Sequence, residues 1–138
     1  MTDVFQLDER LRTDTVEVDR WDLSLVLLMN DATYPWLILV PQRPNLRDFH
    51  DLVGPDLLRL TAEIVRASNR LIALFPEGGK PDKMNVAALG NQVPQLHVHV
   101  VARFVGDAAW PKPVWGVAPA RPYGEKALAE RLRRLRGS

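Results

Sequence analysis

Residues 95–101 read QLHVHVV, a stretch in which two histidines alternate with aliphatic residues. Successive side chains of a β-strand point to opposite faces of the sheet. We therefore predict a strand at about residues 96–104, in which Gln95, His97 and His99 line one face. The aliphatic residues between them face an apolar core. A face with three nitrogen-bearing side chains suits an anionic ligand, a metal ion or phosphoryl chemistry better than it suits packing.

The composition is that of one globular domain. The chain has 138 residues, of which 46% are hydrophobic and 25% charged, and its net charge is +1. A chain of this length buries a substantial core. Near-neutral charge provides no general attraction to nucleic acid or to a membrane surface. We therefore expect neither nucleic acid nor a membrane as a partner.

The location of the protein is indicated by what the sequence lacks. There is no cysteine, which excludes disulfides and thiol catalysis and fits a reducing compartment. No run of about 20 apolar residues predicts a transmembrane helix. The first residues lack the basic start and apolar stretch of a secretory signal. We expect a cytoplasmic protein.

Hydrophobic periodicity predicts an α+β fold. Strand patterns lie at residues 15–19, 23–29, 36–40, 83–89 and 96–104. A short helix is predicted at residues 5–12, a long amphipathic helix from Pro55 to Leu74, and a basic helix at the C-terminus. The order of these elements favours an antiparallel sheet with the long helix on one face. We predict a single domain over residues 1–138, with its core at about 5–105. A Trp/Pro segment and the basic helix fill 106–138.

The histidines suggest three chemistries that the residues alone leave open. A neutral imidazole attacks phosphorus through its free ring nitrogen when the other nitrogen is held, commonly by a backbone carbonyl. Alternatively, His97 and His99 are two ligands of a metal ion, for which His50 is the third histidine available. Finally, both are ordinary histidines on a half-exposed strand. Asn30, Asn85, Asn91 and Gln92 supply neutral donors near the predicted site.

The stretch resembles the signature of the histidine triad (HIT) family, in which three histidines alternate with hydrophobic residues and two more hydrophobic residues follow. Residues 28–30 and 34–41 are similar to the family's Asn turn and to its next strand, which ends in proline. Residues 49–52, FHDL, resemble the phrase before the long helix in the fragile-histidine branch. The resemblance extends over about residues 5–105.

The resemblance implies a HIT-like fold with a five-stranded antiparallel sheet and a nucleotide hydrolase activity. The substrate would be a nucleoside phosphoramidate or a dinucleoside polyphosphate, attacked at its α-phosphate to give a nucleotidyl-histidine (phosphohistidine) intermediate. His97 would be the nucleophile and His99 would contact the phosphate, with Gln95 as the third catalytic position. We expect no cofactor and no metal ion. The resemblance also implies a homodimer.

The same resemblance suggests four substrate-binding residues: Asn30 near the ribose, Asn85 facing the α-phosphate region, Gly90, and Gln92 beside the phosphate or leaving group. For each of the three polar residues, a purely structural role is the alternative to substrate binding. Asn30 fits a turn, Asn85 fits a strand end, and Gln92 fits a loop. For Trp110 and Trp115, in the Trp/Pro segment, packing in a core or dimer and covering the substrate both remain open.

Two positions depart from the family pattern. Gln95 stands where the first histidine is expected, and Trp36 stands where the family has a further histidine on an earlier strand. Glutamine donates a neutral hydrogen bond but does not titrate near pH 7, so a proton relay through this position is lost while positioning remains. The alternative function is therefore a nucleotide-binding module with little or no turnover.

Overall fold

The computed structural model describes residues 4–136. Its helices are α1 (Glu9–Asp14), α2 (Gly54–Ile72) and α3 (Glu125–Arg136), with one 3₁₀ turn at Phe49–Asp51. Its strands are β1 (Thr15–Arg20), β2 (Ser24–Met29), β3 (Trp36–Pro41), β4 (Lys83–Ala87) and β5 (Val98–Arg103). None of the helices in this part of the chain is long and apolar enough to cross a membrane.

The strands form one antiparallel sheet in the order β1-β2-β3-β5-β4. Helix α2 begins with Pro55 in its first turn, where a missing N–H costs nothing. Its apolar stripe, with Leu60, Ala67 and Leu71 fully buried, packs on one face of the sheet. The α+β fold with five antiparallel strands, one long helix on a face and a C-terminal helix is therefore confirmed.

Strand β5 is covered on both of its faces. Val98, Val100 and Ala102 pack in the cluster beneath α2, and Leu96 belongs to the same cluster. His99 and Val101 point to the opposite face, where residues from the N-terminal segment and from 109–115 pack. Because both sides are covered, all six residues of β5 are buried, and the histidine face is not half-exposed.

The structure differs from the predictions by one to four residues at several boundaries; the long helix, for example, ends at Ile72 rather than at Leu74. Helix α1 spans Glu9–Asp14 rather than residues 5–12, because the Asp8 carboxylate accepts a hydrogen bond from the N–H of Arg10 and caps it there. Strand β4 ends at Ala87 rather than at residue 89. Strand β5 begins at Val98 rather than at residue 96, since the Leu96 N–H donates to the carbonyl of Leu46, outside the sheet. The regular alternation thus does not extend back to Gln95.

Candidate active site

His97 lies immediately before β5 and is 6% exposed. Its Nδ1 is 2.7 Å from the backbone carbonyl oxygen of Gln95. A carbonyl oxygen only accepts hydrogen bonds, so Nδ1 carries the hydrogen of the neutral ring. The lone pair is then on Nε2, which is the arrangement required of an imidazole nucleophile.

His99 lies on β5 and is held by a different kind of partner. The indole N–H of Trp36 donates to its Nδ1 across 3.0 Å. Burial lowers the pKa of His99 from 6.5 to about 3, and the neighbouring His97 contributes to this shift. His99 is therefore neutral at pH 7, with its hydrogen on Nε2.

Aromatic rings surround the two imidazoles. The ring centroids of His97 and His99 are 4.9 Å apart, edge to face. The Trp115 ring lies 5.2 Å from that of His99 and 6.1 Å from that of Trp36. These contacts restrict the rotation of His99, so its Nε2–H has a fixed direction.

Both histidines line a cavity of about 490 Å³, a volume within the range of small-molecule sites. Its walls come from the α1–β1 junction, the end of β2, strand β3, the loop at residues 89–93 and the segment at residues 114–120. The Nε1 of Trp115, on this wall, is buried and has no hydrogen-bond partner among residues 4–136. The cavity thus combines apolar walls with a few polar groups near two imidazoles.

A second cavity, of about 230 Å³, adjoins the first. The two share His97, Leu89 and Gly90, and the second is also lined by Arg47 and His50. His97 therefore lies where the larger and the smaller cavity meet.

Gln95 lies on the wall of the second cavity, and its side chain is turned toward the N-terminal segment. Its Oε1 accepts a hydrogen bond from the N–H of Asp8 at 2.9 Å, and its Nε2 donates to the carbonyl of Gln6 at 2.8 Å. The backbone of Gln95 orients His97, while its side chain fastens the segment that leads into α1.

Asn30 and Asn85 line neither cavity in the described part of the chain. The Oδ1 of Asn30 accepts a hydrogen bond from the N–H of Tyr123 at 2.9 Å. The Oδ1 of Asn85 accepts from a guanidinium nitrogen of Arg103 at 2.9 Å. Arg103 is 1% exposed and makes a bidentate ion pair with Asp107. Both amide oxygens thus bond to other parts of the protein.

Gly90 and Gln92 line the main cavity, together with Asn91. Gly90 has a φ of +79°, which residues with a Cβ rarely adopt, so a side chain here would strain the turn. This loop brings amide side chains and backbone to the mouth of the site beside His97.

Two further residues line the cavity: Asp31, which the sequence did not suggest for binding, and Trp115, for which packing and covering the substrate were both left open. Asp31 is 5% exposed, and its Oδ1 accepts hydrogen bonds from the N–H groups of Thr33 at 3.0 Å and Arg121 at 3.3 Å. Trp115 reaches His99 from a segment remote in sequence. The sequence offered a turn at Asn30, beside Asp31, and a Trp/Pro segment that contains Trp115.

Within residues 4–136, no group of three or more histidines, cysteines, aspartates or glutamates is placed to hold a metal ion. His50, the third ligand that the metal interpretation required, has a side chain that is 84% exposed, 3.9 Å from the carboxylate of Asp51.

Comparisons with known proteins identify the family of the chain. Residues 10–106 match the HIT domain family. A histidine triad protein from Bradyrhizobium japonicum is 43% identical, with a TM-score of 0.91 over 97% of each chain. One from Marinobacter aquaeolei is 46% identical, with a TM-score of 0.91 over 97% of this chain and 95% of that one. One from Sinorhizobium meliloti is 42% identical, with a TM-score of 0.86 over 95% and 94%. A comparison with curated proteins found no match.

Proposed function

Since the chain belongs to the histidine triad family, we propose that it is a nucleotide hydrolase that acts at the α-phosphate of its substrate through His97. The observation that carries this proposal is the hydrogen bond between Nδ1 of His97 and the carbonyl of Gln95, because it leaves Nε2 as the nucleophilic nitrogen beside the cavity. Both substrate classes that the family suggests, nucleoside phosphoramidates and dinucleoside polyphosphates, contain such a phosphate.

The reaction has two steps. The Nε2 lone pair of His97 attacks the α-phosphorus, an N–P bond forms, and the bond to the leaving group breaks with its electron pair on that group. Water then attacks the same phosphorus, the N–P bond breaks, and His97 regains its lone pair while a proton passes to solvent. His99 donates its Nε2–H to a phosphoryl oxygen, which stabilises the charge that develops there.

The walls of the main cavity suggest where the nucleoside binds. Trp115 and Ile38 offer apolar surface for a base, and the buried Asp31 offers a carboxylate acceptor for sugar hydroxyls. Gly90 and Gln92 lie beside His97, where they would contact the phosphate. We propose that Asn30 and Asn85 act by positioning other groups, given their hydrogen bonds to Tyr123 and Arg103.

We also propose a homodimer that pairs β4 with β4 of a second copy. The other edge of the sheet, β1, is occupied, since the guanidinium of Arg136 donates to the carbonyls of Glu17 and Val18. Strand β4 pairs only with β5 within residues 4–136, and its Val86 is 47% exposed. An edge of this kind favours pairing with another strand. We expect the protein to act in the cytoplasm without cofactor or metal ion.

The direct experiment is the rate of nucleoside monophosphate release from diadenosine polyphosphates and from adenosine 5′-phosphoramidate. We expect kcat/KM of His97→Ala to fall by at least about 10³-fold, because removal of a nucleophile leaves only binding and electrostatic contributions. His50→Ala is the matched control, since it removes an exposed imidazole and should leave the rate unchanged. Equal rates for the wild type and His97→Ala would contradict the proposal.

The alternative, a nucleotide-binding module with little turnover, is favoured by one observation. The side chain of Gln95 is bonded to the N-terminal segment and does not titrate, so this triad position relays no proton. Tight binding of adenosine monophosphate in calorimetry, with no product from any of these substrates over hours, would establish this alternative.

A further inference from the structure

We propose that Trp36 locks His99 as a neutral hydrogen-bond donor, and that the site therefore expels only leaving groups that depart without a proton. The preferred substrates are then phosphoanhydrides, whose leaving group is a phosphate or nucleotide, and phosphoramidates with amine leaving groups are poor substrates. This inference rests on the proposed function and selects between the two substrate classes that it allows.

The hydrogen bond from Trp36 fixes the tautomer of His99. An indole N–H is a donor only, so the atom that faces Trp36 Nε1 at 3.0 Å must be an acceptor. Nδ1 of His99 therefore carries a lone pair and no hydrogen. The hydrogen of the neutral ring is on Nε2, the opposite end of the ring.

The imidazole of His99, held in this way, does not act as a general acid. If His99 gave up the Nε2 proton, it would become an imidazolate anion, unless Nδ1 gained a proton at the same time. The Trp36 N–H occupies the position of that incoming proton. Protonation of the ring before the reaction is also disfavoured, because burial and the neighbouring His97 hold the pKa of His99 near 3.

Two carboxylates and several neutral polar side chains also line the main cavity. Asp31 accepts hydrogen bonds from two backbone N–H groups, and Asp14 is an exposed carboxylate at the end of α1. The remaining polar side chains on the wall are the hydroxyl of Thr15, the amides of Asn91 and Gln92 and the indoles of Trp36 and Trp115, which donate hydrogen bonds but do not titrate near pH 7.

The side chains of His97, Gln95 and His50 are the remaining candidates for a proton donor. His97 is occupied by the bond to phosphorus, and the Gln95 side chain is bonded to the N-terminal segment. His50, on the second cavity, is 84% exposed and is tested directly below. We therefore assign to none of the described residues of the main cavity the delivery of a proton to the leaving group.

Leaving groups differ in whether they require such a proton. When the bond from the α-phosphorus to a bridging oxygen breaks, the electron pair goes to a phosphate whose second pKa is about 6, which is stable as an anion at pH 7. When a P–N bond breaks, the pair goes to nitrogen, and the departing amide anion must take up a proton as it leaves. Without a proton donor, the P–N reaction is slow.

The test compares kcat/KM for diadenosine triphosphate with that for adenosine 5′-phosphoramidate. We expect the wild type to prefer the triphosphate by at least about 10²-fold, the contribution of one general acid. Trp36→Phe removes the indole donor and should reduce this preference at least tenfold. Two control variants should retain the preference for the triphosphate. Trp115→Phe alters the other indole beside His99, and His50→Ala removes an exposed imidazole.

A spectroscopic measurement tests the lock independently of turnover and of the folding of any variant. In the wild type, ¹⁵N shifts of the imidazole should report Nδ1 of His99 as an unprotonated acceptor from pH 8 to pH 5. A hydrogen on Nδ1, or a protonated ring at pH 6, would overturn the inference. If the wild type had similar kcat/KM values for both substrates and His97→Ala lost turnover on both, the inference would be overturned and the proposed function would remain. Absence of His97-dependent turnover on either substrate would instead contradict the proposed function.

Discussion

The indole N–H of Trp36 donates a hydrogen bond to Nδ1 of His99, between neighbouring strands β3 and β5. The strand register explains this contact. Ile38 lies directly opposite His99, so Trp36, two residues earlier, is the diagonal neighbour on the same face of the sheet. One side chain of β3 thereby fixes both the position and the tautomer of an imidazole in the candidate active site.

Burial of neutral His99 makes stability depend on pH. In the unfolded chain His99 takes up a proton near pH 6.5, whereas in the folded protein its pKa is lowered to about 3. Between these values the unfolded state binds more protons, so stability is lost as pH falls below about 6.5. We expect His99 to contribute a loss of about 2 kcal/mol in the free energy of unfolding between pH 7 and pH 5.

Urea unfolding of the wild type and of His99→Gln across this range measures that contribution. The difference between the two pH slopes isolates His99 from His97, which faces it, and from His50. Equal slopes for both proteins would show that His99 is not held neutral by the fold.

Asn85 is expected to act on stability more than on substrate binding. Its amide oxygen accepts a hydrogen bond from the buried guanidinium of Arg103, which is also paired with Asp107. Asn85→Ala leaves one donor of a buried cation without its partner, so we expect a loss of about 1.5–3 kcal/mol in the free energy of unfolding. KM for the nucleotide should change less than threefold. A large rise in KM with unchanged stability would instead place Asn85 on the substrate.

Gln95 is expected to secure the N-terminal segment. Gln95→Ala removes hydrogen bonds to the backbone of Gln6 and Asp8, and should lower the free energy of unfolding by about 1–2 kcal/mol. Amide exchange at Asp8 should accelerate, while kcat/KM should fall far less than in His97→Ala. Gln92→Ala, an exposed amide in the same loop, should leave the stability within about 0.5 kcal/mol. An effect of Gln95→Ala on kcat as large as that of His97→Ala would assign Gln95 a part in the chemistry.

The proposed dimer depends on the edge strand β4. Val86→Asp places a charge on this exposed strand position and should convert the dimer to monomer in sedimentation velocity. Leu58→Asp changes a residue of α2 that is 74% exposed, away from the sheet edge, and should leave the dimer intact. A wild-type protein that sediments as a monomer at micromolar concentration would exclude the dimer.

The sequence predicted the sheet, the long helix and the two histidines on one face, because these depend on local periodicity. Leu96, Val98 and Val100 pack in the core beneath α2 for the same reason. The start of β5 was predicted two residues too early, since it depends on a contact between Leu96 and Leu46 that no local pattern encodes.

The partners of the polar residues could not be predicted from their neighbours in sequence. Asn30 bonds to a residue 93 positions away, and Trp36 to one 63 positions away. Trp36 occupies a position where the family resemblance suggested a histidine, and nothing in the sequence indicated its partner. Its donor role emerges once the strand register places it beside His99.

The most direct test of the account is the identification of the covalent intermediate. Rapid alkaline quench of the wild-type protein during turnover of diadenosine triphosphate, followed by tryptic digestion and fragmentation of peptide 84–103, locates any nucleotidyl group. We expect an adenylyl group on His97, and no adduct in His97→Ala. An adduct on His99, or steady turnover in His97→Ala, would contradict it.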